Sequence, residues 1–158
     1  MSLIRVLVAG TQQCGKSTLV KEWTGLRSTP MGQHTRVVFE AGTHWNRPVH
    51  IRDIPAIDFP SNEFPLEEQV RQQKPHYVIL MSKVITTRLV EALSYLVRQT
   101  TIPILVLLTE MDSEKSREEL SGDNRDVTNA FTTGRIDVRS NTQAHVIARE
   151  WILIRASE

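Results

Sequence analysis

The chain has 158 residues, 19 Lys+Arg against 18 Asp+Glu, and 40% hydrophobic residues. This fits a single domain spanning 1–158 with an ordinary core. A net charge of +1 offers no electrostatic reason for nucleic acid or an anionic membrane as partner. The one cysteine, Cys14, excludes an intrachain disulfide and suits a reducing compartment. No apolar run reaches the roughly 18 residues that span a bilayer, and no secretory leader pattern is visible. The expectation is a cytoplasmic protein.

In chain order, residues 3–9 form a nearly continuous apolar run, as in a strand buried on both faces. Residues 16–24 place Leu19, Val20 and Trp23 on one side of a short helix that Gly25 can end. Residues 26–34, with Pro30 and Gly32, read as a loop. The stretches 36–41 and 48–53 flank a turn and suggest an antiparallel hairpin, with Trp45 exposed at its tip. Pro55, Pro60 and Pro65 make 54–65 irregular, and 66–73 is a short polar helix.

Further on, YVILM (77–81) and ILVLL (104–108) are buried strands. Between them Thr86 or Thr87 caps a helix carrying Leu89, Leu93, Leu96 and Val97 at helical spacing. Residues 113–134 are polar, with one helix near 124–133 that Gly134 can end. RIDV (135–138) is a last strand. Ala144, Ile147, Ala148, Trp151 and Ile154 share a face of the final helix. This alternation predicts an α/β fold: a three-layer α/β/α sandwich around a mainly parallel six-stranded sheet with one antiparallel strand.

The first apolar run leads into Gly10-Thr11-Gln12-Gln13-Cys14-Gly15-Lys16-Ser17, a match to G-x-x-x-x-G-K-[ST] between a strand and a helix. Gly10 permits a tight exit from the strand and Gly15 a close approach of backbone to phosphate. The backbone N–H groups from Gln13 to Thr18 face an anion at a helix N-terminus. Lys16 reaches the β- and γ-phosphates, and the Ser17 hydroxyl ligates Mg²⁺. Cys14 either is acidified at the helix start or packs beside the loop; it is assigned no role.

Thr109-Glu110-Met111-Asp112 closes ILVLL and resembles the [N/T]-K-x-D signature of small GTPases. Asp53-Ile54-Pro55-Ala56 resembles D-x-x-G, Thr35 stands where the switch-one threonine falls, and Val138-Arg139-Ser140-Asn141-Thr142 is placed like the last guanine-contacting loop. In order and spacing these resemble the Ras-like small GTPase superfamily over almost the whole chain, nearest in character to its prokaryotic members. The resemblance implies a small G-domain that binds GTP and GDP with Mg²⁺. It implies guanine contacts from Thr109, Glu110, Asp112, Ser140 and Asn141, with Asp112 taking the two N–H donors of the base. It implies a metal set of Ser17, Thr35 and Asp53, in which Thr29 and Thr43 compete with Thr35. It also implies a protein effector or regulator reading loops 26–35 and 53–65. Asp112 alternatively caps the following segment.

Several positions depart from the pattern. Glu110 replaces the family's lysine, Ala56 its glycine, and Ile57 stands where a glutamine orients the attacking water. Gln12 and Gln13 crowd the place of a partner's arginine. Slow intrinsic GTP hydrolysis is the expectation. Arg27, Arg36, His34 and Gln12 have side-chain chemistry for catalysis, and none is assigned. Two other readings stand: a pseudo-GTPase scaffold, and a P-loop small-molecule or nucleoside kinase with Arg117 and Arg125 as lid arginines. His44, His50, Asp53 and Asp58 fit no zinc spacing. Ser2 and the lack of a C-terminal cysteine argue against lipidation, so no direct membrane anchor is expected.

Overall fold

The computed structural model describes residues 3–11, 14–24, 45, 49–53, 65–110, 113–122, 124–140 and 143–157. In chain order the elements are β1 (Ile4–Gly10), α1 (Lys16–Thr24), β2 (Val49–Asp53), α2 (Pro65–Gln73), β3 (Tyr77–Ser82), α3 (Thr87–Gln99), β4 (Ile104–Leu108), α4 (Ser113–Ser121), α5 (Arg125–Thr132), β5 (Ile136–Ser140) and α6 (Ala144–Ala156).

The apolar runs become strands because only a sheet buried on both faces satisfies their backbone and side chains together. Val6 to Ala9, Val78 to Met81 and all of β4 are buried. The five strands among the described residues are all parallel, in the order β2-β1-β3-β4-β5. The first half of the expected hairpin, 36–41, and with it the sixth, antiparallel strand, lies outside the described residues. Its second half is β2, which pairs parallel with β1 from Ile4 opposite Val49 to Val8 opposite Asp53.

Two cores flank the sheet. On one face Leu19, Val20 and Trp23 of α1 and Ala148, Trp151 and Ile152 of α6 pack on Val6, Val8, Ile79 and Leu105. On the other, Leu66 and Val70 of α2, the leucines of α3, Leu120 of α4, and Val127 and Ala130 of α5 pack on Leu7, Leu80 and Val106. The layers are those of the expected sandwich.

Thr86 caps α3, its Oγ1 accepting from Leu89 N–H at 3.1 Å. Asn124 caps α5 in the same way through Val127 N–H at 3.1 Å. Three expectations are corrected. Residues 113–121 form a helix of their own, α4, which among its described side chains buries only Leu120 and Ser116 and so shows almost no apolar periodicity. In α6 Ala144, Ile147, Ala148 and Trp151 meet the core as expected, joined by Ile152, Leu153 and Ala156, whereas Ile154 turns outward to 61% exposure. Trp45 is not exposed: it is 3% accessible and meets the Trp23 ring edge to face at 5.2 Å between centroids. An indole flanked by polar residues carries no local sign of burial, because its partner is 22 residues away.

Candidate functional site

Strand order reverses at β1 and β3. The chain leaves β1 for α1 on one face and leaves β3 for α3 on the other, opening a crevice at the carboxyl ends of these strands. The glycine-rich loop sits there. Gly10 is opposite Met81 in the sheet, and Thr11 N–H donates to the Met81 carbonyl at 3.0 Å. The Thr11 hydroxyl donates to Ser82 Oγ at 3.0 Å. A Cβ on Gly10 would stand 2.7 Å from Cys14 Sγ and 2.8 Å from the Met81 carbonyl oxygen, so only glycine lets the loop fold back this tightly.

Cys14 is 3% exposed and packs under the loop, the second of its two readings. Gly15 has φ of +94°, the left-handed turn that aims the chain into α1. Its carbonyl accepts from Leu19 N–H at 3.1 Å and closes the first helical turn. Lys16 opens α1 and is 7% exposed, so its cationic chain is held at the helix start rather than spread into solvent. The N–H groups of the first turn have no carbonyl within the helix to pair with, which suits an anion there.

Beside the loop lies a cavity of about 170 Å³. Cys14 and Gly15, Thr18 and Leu19 of α1, Met81, Thr109, and Ala144 and His145 of α6 line it. Thr109 is held by its N–H to the Ser82 carbonyl at 3.0 Å. The structure thus brings together Gly10, Cys14, Gly15, Lys16, Thr18 and Thr109. Glu110 follows Thr109 but is exposed and does not line the cavity; its N–H donates to the Lys83 carbonyl at 2.9 Å. Ser140 ends β5 opposite Leu108, at the same end of the sheet, and is exposed.

Asp53 ends β2 at the level of Val8, two residues before the loop begins. Ser17 is the second residue of α1. The side chains of Ser17 and Asp53 are outside the described part of the structure, as are Gln12, Gln13, Thr35, Ala56, Ile57, Asp112 and Asn141. Sequence reasoning missed Met81 and Ser82, which hold the loop from below, and Ala144 and His145. Their only sign was position, at the carboxyl end of one apolar strand and just after another.

No group of three or more His, Cys, Asp or Glu able to hold a metal exists among the described residues. A hydroxyl at a helix start beside phosphate oxygens requires no such cluster, since Mg²⁺ there keeps several waters and takes substrate oxygens. Ser17, second residue of α1, and Asp53, last residue of β2, are of the hard oxygen-donor type this calls for. His50 has its pKa lowered by burial, then by Arg52 and Arg5. Arg117, a lid arginine in the kinase reading, lies over the Phe131 ring at 5.2 Å. A larger depression of about 680 Å³ runs along the outer side of α3 between Ile85 and Gln99 and includes none of the predicted site residues.

A parallel α/β sheet with this loop at its switch point defines a P-loop nucleotide-binding domain. The family model described as 50S ribosome-binding GTPase matches residues 5–110, from β1 to the end of the Thr109-Glu110 turn. The chain belongs to that family, within the P-loop small GTPase superfamily, and is a GTP-binding G-domain protein by descent. None of the curated proteins is significantly similar in sequence.

Solved structures share the fold. The FeoB G-domain from Methanococcus jannaschii is 14% identical with a TM-score of 0.60, covering 100% of both chains. The Arl6 BBS3 small GTPase from Trypanosoma brucei, with the nucleotide analogue GppNp, is 14% identical with a TM-score of 0.60, covering 98% of this chain and 99% of that one. Toc33 from Arabidopsis thaliana, in complex with Mg²⁺ and GMPPNP, is 17% identical with a TM-score of 0.56, covering 89% and 70%. No helix among the described residues is long and apolar enough to cross a membrane.

Proposed function

We propose that this protein is a guanine-nucleotide switch with slow intrinsic GTP hydrolysis, which acts by presenting its nucleotide state to a protein partner. The observation that carries this reading is the cradle itself: Gly10 packed against Met81, Gly15 at positive φ, and Lys16 buried at the start of α1, beside a cavity bordered by Thr109 and His145.

Backbone N–H groups from Cys14 to Thr18 bind the phosphates, and Lys16 neutralises their charge. Asp112 accepts from the guanine N–H donors, with Thr109, Ser140 and Asn141 around the base. Ser17, Asp53 and Thr35 would hold Mg²⁺, which would supply positive charge to offset that of the nucleotide phosphates. The segments 26–35 and 53–65 differ in shape between the two nucleotide states, and a protein partner reads that difference. Ala56 and Ile57 leave no side chain to orient water, so hydrolysis is slow unless a partner supplies an arginine. Cys14, buried and in no disulfide, fits a reducing compartment such as the cytoplasm.

The test is a Mg²⁺-dependent titration of nucleotide-stripped protein with fluorescent GDP, GTP, ADP and ATP, followed by single-turnover phosphate release. The expected result is guanine-selective binding, lost in Lys16→Ala and Asp112→Ala. The expected hydrolysis rate is below about 10⁻⁴ s⁻¹. Adenine preference supports the kinase reading, and absence of any binding supports a pseudo-GTPase scaffold. Either overturns the proposal.

A further inference from the structure

Trp23 sits near the far end of α1 from the phosphate loop, about 10 Å along the helix from Lys16 at about 1.5 Å per residue. Its side chain joins two distant parts of the chain. The ring meets Trp45 at 5.2 Å and 83°. The indole Nε1–H donates to the backbone carbonyl of His145 at 2.8 Å. His145 is the second residue of α6 and, with Ala144, borders the cavity beside the phosphate loop.

The start of α6 has no side-chain cap. Gln143 occupies that position with φ of −109° and ψ of 57°, and its side chain makes no capping hydrogen bond. The first turn of α6 is fastened from outside, by α1, through the Trp23 indole N–H. The same helix α1 carries Lys16 and Thr18. A rigid helix with Lys16 near one end and this bond near the other fixes the separation between the phosphate cradle and the far wall of the cavity.

We infer that Trp23 is a positioning residue for that wall: through His145 it holds the first turn of α6 at the cavity beside the phosphate cradle and so sets how long a guanine nucleotide stays bound. This rests on the nucleotide-binding reading given above. Core packing alone asks only for a ring of suitable size. Positioning asks for the N–H.

The experiment compares release of a fluorescent GDP analogue from the wild-type chain, Trp23→Phe and Trp45→Phe, with urea midpoints and pyrophosphate affinity by competition. Trp23→Phe keeps a ring and loses the donor. Trp45→Phe perturbs the same core and keeps the bond. The expected result is release about tenfold faster from Trp23→Phe, the effect of losing one hydrogen bond. Release from Trp45→Phe stays within about twofold of wild type at a comparable loss of stability, since it keeps that bond. Pyrophosphate affinity is unchanged in both.

Unchanged release in Trp23→Phe, equal acceleration in both variants, or a parallel loss of pyrophosphate affinity would overturn the inference. A readout free of substitutions is hydrogen exchange at the Trp23 indole N–H. By reciprocity GDP must slow it if the bond favours the bound state, and unaltered exchange overturns the inference as well. Failure of the wild-type chain to bind guanine nucleotide defeats the underlying reading and the inference with it, whereas binding that is indifferent to Trp23→Phe defeats the inference alone.

Discussion

The Thr11 hydroxyl donates to Ser82 Oγ at 3.0 Å, and Ser82 donates onward to the Val84 carbonyl at 2.6 Å. The relay fastens the loop after β1 to the loop after β3, with Thr11 6% and Ser82 1% exposed. Removing Ser82 Oγ leaves the Thr11 donor buried and unsatisfied. Ser82→Ala is therefore expected to cost about 1–3 kcal/mol. The double variant Thr11→Val/Ser82→Ala, which removes both partners, should recover part of that loss. Urea unfolding of the four proteins in the cycle measures the coupling.

The two loop glycines should fail differently. At Gly10 an added Cβ meets backbone, the Met81 carbonyl, at 2.8 Å, so the loop itself has to shift. At Gly15 the space is open, with Met81 Cε at 3.9 Å, and the obstacle is the φ of +94°. Gly15→Ala should cost about 1–2 kcal/mol of backbone strain, in the range for a non-glycine residue at positive φ. Gly10→Ala should cost more and also move Cys14. Thiol labelling of Cys14, buried in the wild type, reports the difference: markedly faster in Gly10→Ala, nearly unchanged in Gly15→Ala.

Trp45 behaves as a core residue. Trp45→Ala is expected to destabilise the protein by about 3–5 kcal/mol, the range for emptying a buried aromatic site. A ring exposed in a turn would cost almost nothing. Chemical denaturation of the variant decides between them, and the emission of a Trp23→Phe/Trp151→Phe protein should be blue-shifted, as for an indole away from water.

Arg135 clasps the end of α3. Its guanidinium donates to the carbonyls of Val97 at 3.2 Å, Ile102 at 3.2 Å and Leu96 at 2.8 Å, and to the Thr100 carbonyl. Burial lowers its pKa from the ordinary arginine value, yet the group stays charged at any working pH. An ammonium cannot span that fork of acceptors, so Arg135→Lys should lose about 2–3 kcal/mol, close to the loss in Arg135→Ala. Thermal unfolding of both variants provides the comparison.

His76 should make stability fall in mild acid. Its Nδ1 accepts from the Arg5 backbone N–H at 2.9 Å, which requires that nitrogen unprotonated. Burial and then Arg5 lower its pKa below 6.5, and His50 is lowered by burial, Arg52 and Arg5. Between the lowered values and 6.5 the unfolded chain binds more protons than the folded one, so stability declines as pH drops through about 6.5 and below. His76→Asn should flatten the slope of unfolding free energy against pH between about 7 and 5, above the range where ordinary carboxylates titrate.

The amino-acid sequence by itself determined the strand–loop–helix that carries Gly10 to Ser17, the buried strands 77–81 and 104–108, the Thr86-capped helix and the layered α/β class. Each of these is local: an apolar run, a helical period, a cap, or glycines at set spacing dictate conformation within a few residues. Only the tertiary structure decided that β2 lies parallel to β1, that Trp45 is buried, that Ile154 faces outward, and that a helix stands over 113–121 on little more than Leu120. It also decided that Met81 and Ser82 support the phosphate loop and that Trp23 reaches His145, 122 residues away. These depend on which surfaces meet when the sheet closes, and a contact between distant residues leaves no period in the chain around either of them.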